Sequence, residues 1–379
     1  MQHQDVFIKL GIQATAILAQ KGLAAYQANQ QSAPAQLRRA VEAGNAHAVS
    51  ELLSQNSSLI GQSAEALCKA AKAGHKDIVL ILLDKGASPS VSNKAGEDAL
   101  YLAVVKGHQA VAQCLIDRGA NAKDRRQHGK TLLHCAIERN DKDMVQLLVD
   151  HGAPVNLADG DGKTPLHRAA DSMVSDIAYI LIAKGADVTA RDQKGKTPLH
   201  RAVAHDNQPV VEYLLGKDAP VNVSDVKGRT PLHEAVRLQS SSITQLLLSK
   251  GADVSAQDRE GLTPLHVAAA SGTESVLELL LTNGADIKAT DHRGRTALHC
   301  AADSDIFRST AGREAALRVL LMYKADINAR DNCGKTALES LSRFRPRDGA
   351  KRLLTQHIEI GTLGVVPPAP PATSLLDDD

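Results

Sequence analysis

Tryptophan is absent from this sequence, and aromatic residues of any kind are scarce: 3 Phe and 5 Tyr make up 2% of 379 residues. A core organised around large rings is therefore excluded, and so are the stacking platforms that nucleic-acid binders use. Charge of one sign is also missing. Lys and Arg total 44 against 43 Asp and Glu, a formal net charge of +1, so no global field draws the chain to nucleic acid or to a membrane surface. The five cysteines, Cys68, Cys114, Cys135, Cys300 and Cys333, form no CxxC pair. That excludes a disulfide framework and points to reduced thiols in an intracellular compartment, cytoplasmic or nuclear. The apolar stretch at residues 6–19 is interrupted by Lys9 and Gln13 and is too short to span a bilayer. With no basic stretch before it, residues 1–33 read as a helical N-terminal cap rather than a signal peptide.

Hydrophobic residues still reach 43%, carried by Ala, Leu, Val and Ile. Small and aliphatic side chains suit helices that approach closely. They are also periodic. The octet GKTPLHRA stands at 162–169 and again, unchanged, at 195–202, and the threonines Thr131, Thr164, Thr197, Thr230, Thr263 and Thr296 follow one another in steps of 33. Backward, the same step reaches Asp98 and Glu65, where the apolar pattern persists without the threonine. Forward, Thr336 comes after 40 residues, an insertion of seven near 303–314. Ten units span about 34–358, a periodicity that calls for a repeat architecture.

Each unit reads alike. Thr164 is placed to cap a helix, Pro165 to occupy its first position, and Leu166, Ala169 and Ala170 to form a thin apolar face. A second helix follows with Ile177, Ile180 and Leu181 at helical spacing and closes on Gly185, where a left-handed residue is wanted. Asp192 and Gly195 then suit a tight turn. A unit is thus helix, turn, helix and a hairpin-like loop.

A 33-residue unit carrying Thr-Pro-Leu-His at 164–167, 197–200, 230–233 and 263–266, with variants at 131–134 and 296–299, resembles the ankyrin repeat. The resemblance implies an all-α solenoid of stacked helix-turn-helix units with projecting β-hairpin loops. It implies a protein-binding scaffold or adaptor without enzymatic activity, acting through a concave face and the loops. A regulatory or inhibitory subunit that masks an enzyme or transcription factor, and a host-directed effector, are the alternatives. Glycine often ends the first helix of such a unit, as at Gly74, Gly107 and Gly272. Asn140, Met173, Asp206 and Gln239 stand there in the middle repeats, and Asp218 and Lys324 replace the glycine that ends the second helix. Positive φ at these positions is costlier, which predicts a middle less stable than a consensus array.

The histidine series His134, His167, His200, His233, His266 and His299 invites a metal reading. Equivalent positions in neighbouring units lie a helix-packing distance apart, about 8–10 Å, whereas two ligands of one zinc each sit about 2 Å from it. In the resembled family this histidine ties units together through backbone groups. The threonine hydroxyls are committed to caps, Cys135 and Cys300 are five units apart, and no GxSxG or phosphate-cradling glycine loop occurs. No catalytic residue, metal, cofactor or small-molecule substrate is therefore expected.

Partner-binding candidates are cationic. Lys130, Lys163, Lys196, Arg229, Arg295 and Lys335 precede the threonines, and Arg126, Lys194, Lys227, Arg259 and Arg293 lie in the loops before them. They line either a groove for an acidic partner or the usual basic rim of the repeat, since Asp159, Asp192, Asp225, Asp258 and Asp291 interleave with them. Phe307 and Arg308 in the insertion are either an interface anchor or a tolerated loop. Beyond a polar capping repeat, residues 359–379 read as a Pro-rich, acidic, disordered tail. The expectation is a monomer that meets protein partners and neither nucleic acid nor membrane.

Overall fold

The computed structural model describes residues 32–123, 129–172, 175–302, 310–341 and 349–362. Arg126, Met173, Phe307, Arg308 and most of the N-terminal cap and of the tail lie outside the described residues. The chain divides into two compact units, Met1–Pro154 and Val155–Asp379. Among the described residues there are twenty α-helices, one short 3-10 turn at Ser57–Gln62 and no β-strand.

Four helix pairs build the first unit, from Ala33–Glu42 with Ala46–Gln55 to Leu132–Glu138 with Lys142–Asp150; six build the second, from Pro165–Ala170 with Ser175–Ala183 to Ala337–Ser340 with Gly349–Thr362. The ten pairs match the ten units counted by period, and the fold is all-α. Within each unit, first helices pack on first helices and second on second, as Pro198–Ala204 does on Pro231–Arg237.

The short first helices depend on their caps. An isolated helix of six to eight residues is far below the length that is stable in water. Thr164, Thr197 and Thr131 accept the backbone N–H of the residue three positions on, and proline occupies N1 in the helices that begin at Pro165, Pro198, Pro231 and Pro264. The packed face is thin. Ala169, Ala202, Ala235 and Ala268 are fully buried, with Leu166, Leu199 and Leu232 beside them. Each such leucine contributes about 2 kcal/mol, and enlarging Ala202 to leucine costs about 1–3 kcal/mol by overpacking. In the second helices Ile177 and Leu181 are fully buried. Ile180 is only half-buried, because it sits at the edge of the stripe that those two centre.

Left-handed turns close the helices. Gly185 has φ +84°, and the N–H of Ala186 reaches back to the carbonyl of Leu181. Asn140, Asp206, Asp218, Gln239 and Lys324 adopt positive φ without being glycine. The projecting loops are tight hairpin turns: Asp192 N–H bonds Lys196 C=O while Gly195 N–H bonds Asp192 C=O. Only the Ser92–Asp98 pair forms a bridge outside helices among the described residues.

Candidate functional site

The repeated histidine is a joint. In the second unit the Nδ1 of His167, His200, His233 and His266 accepts the backbone N–H of the capping threonine at 3.1–3.2 Å. The Nε2 of each then donates to a carbonyl of the next repeat: His167 to Lys196, His200 to Arg229, His233 to Leu262 and His266 to Arg295, at 3.0–3.1 Å. His299 reaches Lys335 in the same way across the insertion. Both ring nitrogens are thus engaged, and the arrangement needs a neutral ring protonated on Nε2. Burial disfavours the charged form and pulls His167, His233 and His266 below their usual value, and His200 down to about 4.

The aspartates of the loops are structural as well. The Oδ1 atoms of Asp159, Asp192, Asp225, Asp258 and Asp291 each accept backbone N–H groups two and four residues on, which fixes the hairpin. Burial alone would raise the carboxyls of Asp159, Asp192 and Asp291. Hydrogen bonds from Arg168 to Asp159, from Arg201 to Asp192, and from the Arg295 backbone and guanidinium to Asp291 outweigh it and hold those three below the ordinary carboxylate range. The guanidiniums of Arg168 and Arg201 come from the residue that follows the histidine. Sequence reasoning missed them as partners. The signal was the variable letter after Thr-Pro-Leu-His, which runs Arg168, Arg201, Glu234, Val267.

The candidate cations fall into two sets. Of those just before a threonine, Lys130, Lys163, Lys196, Arg229 and Arg295 are half-buried and paired within the chain, whereas Lys335 is exposed. Lys130 meets Glu138 at 2.7 Å, Lys163 meets Asp171 at 2.9 Å, and Arg295 meets Asp291 at 2.7 Å. Looser pairs join Lys196 to Glu234 at 3.9 Å and Arg229 to Asp258 at 3.5 Å. Those at the loop tips, Lys194, Lys227, Arg259 and Arg293, are exposed, and no ion pair to any of them occurs among the described residues. Neighbouring tips are stitched backbone to backbone. Gln193 N–H bonds Asp161 C=O, Val226 bonds Lys194, Arg259 bonds Lys227, His292 bonds Glu260 and Asn332 bonds Arg293, all at 2.9–3.1 Å. At its far end the row opens into a cleft of about 370 Å³ between the last two hairpins, lined by Arg293, Arg295, Lys335 and the exposed Cys333.

Among the described residues no three His, Cys, Asp or Glu side chains come together as a metal site, and no helix is long and apolar enough to cross a membrane. A sequence profile of ankyrin repeats (3 copies) matches residues 37–126, 119–192, 175–258, 239–331 and 265–362. The ankyrin repeat domain of Bcl-3, described as a unique member of the IkappaB protein family, is similar in structure. The identity is 31% and the TM-score 0.52, over 60% of this chain and 99% of that one. No curated protein matches the chain.

Proposed function

Because the chain belongs to the ankyrin-repeat family, a fold of protein-interaction repeats, we propose that it is a non-enzymatic scaffold or adaptor that holds an acidic protein partner on the hairpin loops of its second unit. One observation carries this reading: the tip cations Lys194, Lys227, Arg259 and Arg293 are exposed and have no ion pair among the described residues, whereas Lys163, Lys196, Arg229 and Arg295 behind them face carboxylates of the chain itself. Charges already neutralised inside the fold offer a partner little, while unpaired surface charges steer and select one. The thiols fit a reducing compartment: four are buried and none is joined in a disulfide among the described residues.

Affinity capture with the intact protein, repeated with the four tip residues reversed to glutamate and with residues 306–312 deleted, tests the proposal. Partners lost with the charge reversal support it; a set of captured proteins indifferent to the reversal overturns the loop reading. The likeness to the ankyrin repeat domain of Bcl-3 favours a second reading, a regulatory subunit that masks its partner. A one-to-one complex that survives size-exclusion chromatography at nanomolar concentration distinguishes that role from loose scaffolding.

A further inference from the structure

The loop tips form a ruler. Each hairpin contributes two extended chain segments, and the tip-to-tip hydrogen bonds join every hairpin from 159 to 335 to the next. Extended segments hydrogen-bonded side by side lie about 4.8 Å apart, so equivalent tip residues recur about every 10 Å. Glycine sets this pitch. A Cβ on Gly228 would stand 2.8 Å from the backbone N of Arg259, and one on Gly261 would stand 2.7 Å from that of His292. Any side chain there would push the next hairpin away. The residues whose carbonyls accept the rungs are, in order, Asp161, Lys194, Lys227, Glu260 and Arg293.

We infer that this row takes an acidic segment of the partner in the polyproline II conformation, read by acidic side chains at every third residue. The inference rests on the protein-interaction reading above and adds to it the partner's conformation and register. Polyproline II has three residues per turn and a rise of about 3.1 Å, so every third side chain returns to one edge after about 9.3 Å. A β-strand returns side chains to one face every second residue, about 6.6 Å, and then only at about 13 Å. A helix approaches the pitch at every seventh residue, about 10.5 Å, but it needs an apolar face to bury. Along the tips Val226 is the one large hydrophobic among the described residues with notable exposure, 44%. A polyproline II segment has a fully solvated backbone and needs only the charges. Glu260 breaks the row, with Arg259 beside it. The preferred segment is therefore acidic opposite Lys194, Lys227 and Arg293 and neutral opposite Glu260.

The test uses the full chain and fluorescein-labelled synthetic peptides of equal charge, about twelve residues long, in a Pro/Ser background. Glutamates are placed at every third residue, at every second residue or in one block, and a longer helical peptide carries them at every seventh. Fluorescence anisotropy at low salt is expected to rank the every-third peptide about tenfold above the others. Lys194→Glu with Lys227→Glu is expected to abolish its binding, and Glu260→Lys, which completes the row, to tighten it several-fold. These side chains are exposed, and circular dichroism checks that the variants fold. Affinity independent of spacing, preference for another spacing, no binding, or no gain from Glu260→Lys overturns the inference. A natural partner that is still captured by the tip-reversed protein overturns it too, while leaving the interaction reading intact. Absence of any partner is instead the failure of that reading.

Discussion

In three of the four repeats of the first unit the first helix ends on glycine, at Gly44, Gly74 and Gly107, with Asn140 in the fourth. The next repeat lays a large side chain over each of these glycines. His75 covers Gly44, His108 covers Gly74 and Arg139 covers Gly107; a Cβ at these positions would stand 2.6–2.9 Å from them. His108 and Arg139 also donate back to the carbonyls of Lys72 and Val105. In the second unit Asp206 and Gln239 take over the left-handed position with side chains of their own, at φ 52° and 60°, while Gly272 keeps it at φ 75°. Coupling there runs through the buried histidines instead. One period of 33 residues is thus compatible with two joints: a cover over a glycine, or an imidazole inside the helix start. The first unit carries the histidine start once, at the buried His134, whose Nδ1 accepts the Thr131 N–H at 3.2 Å, and a related contact two repeats earlier. Cys68 stands at the histidine register, and its Sγ lies 3.4 Å from the carbonyl of Glu97, the residue before the cap Asp98. Burial pushes this thiol up to about 11, so it remains a protonated, weak donor.

Acid separates the two units most. The folded-state values of His167, His200, His233 and His266 are depressed. The unfolded chain therefore binds more protons, and the stability these residues contribute is present above about pH 6.5 and lost as pH falls toward the folded values. For His200, whose value is about 4, the loss at about pH 5 is about 2 kcal/mol, and the other three lose in the same direction. The depressed carboxyls of Asp159, Asp192 and Asp291 act lower, being lost only as pH falls below their ordinary value of about 3.9. Hydrogen exchange followed from about pH 7 to 5, corrected for intrinsic rates, is expected to show the second unit opening well before the first. Parallel loss in both units would contradict the histidine account.

Substitution of the joint residue itself comes next. His200→Ala leaves the N–H of Thr197 and the carbonyl of Arg229 short of partners in a buried site and is expected to cost about 3 kcal/mol. Cys68→Ala removes a weaker donor and a smaller volume, for about 1–2 kcal/mol. The array has two units, so the effects are to be read by local exchange rather than from one global transition. Equal effects would erase the distinction between the joints.

Much of this is legible in the amino-acid sequence alone. The 33-residue step locates the caps, the proline starts, the joint histidines and each described non-glycine residue that adopts positive φ, because all of them are decided within a few residues of backbone. Cys68 is legible only by register, since its letter resembles nothing in Thr-Pro-Leu-His. The pairing of Lys163 with Asp171 and of Lys196 with Glu234 is not legible. It depends on which side chain the helices carry to the same surface, eight residues along in one case and in the next repeat in the other. The rungs between hairpin tips are hidden for the same reason: they follow from the stacking distance, not from any loop taken alone.

The glycine joint of the first unit should tolerate no side chain. Gly107→Ala imposes a Cβ at φ +78° and directs it at 2.6 Å toward the Arg139 guanidinium. Strain of about 1 kcal/mol, with loss of the 2.9 Å bond from Arg139 to Val105 C=O, gives a loss of about 1–2 kcal/mol. Arg139→Ala in the same background should restore little, since the φ strain remains. Full rescue by the double change would show that contact, not conformation, is what the glycine serves.

The smallest effect is the reverse substitution in the second unit. Gln239 holds φ 60° and returns only a long 3.4 Å bond from its side chain to Ser271 C=O. Gln239→Gly relieves the left-handed strain, and part of that gain is offset by the greater freedom of glycine in the unfolded chain. A net stabilisation of about 0.5 kcal/mol is expected. Asp206 differs, because its carboxylate accepts the Ser240 hydroxyl of the next repeat at 2.7 Å. Asp206→Gly exchanges strain for the loss of that tie and for added unfolded-state entropy, so no gain is expected. Thermal unfolding that rises with the first substitution and not with the second would show that the second unit keeps its non-glycine turns where they contact the next repeat. A rise with both would mean that strain alone distinguishes these turns from the glycines of the first unit.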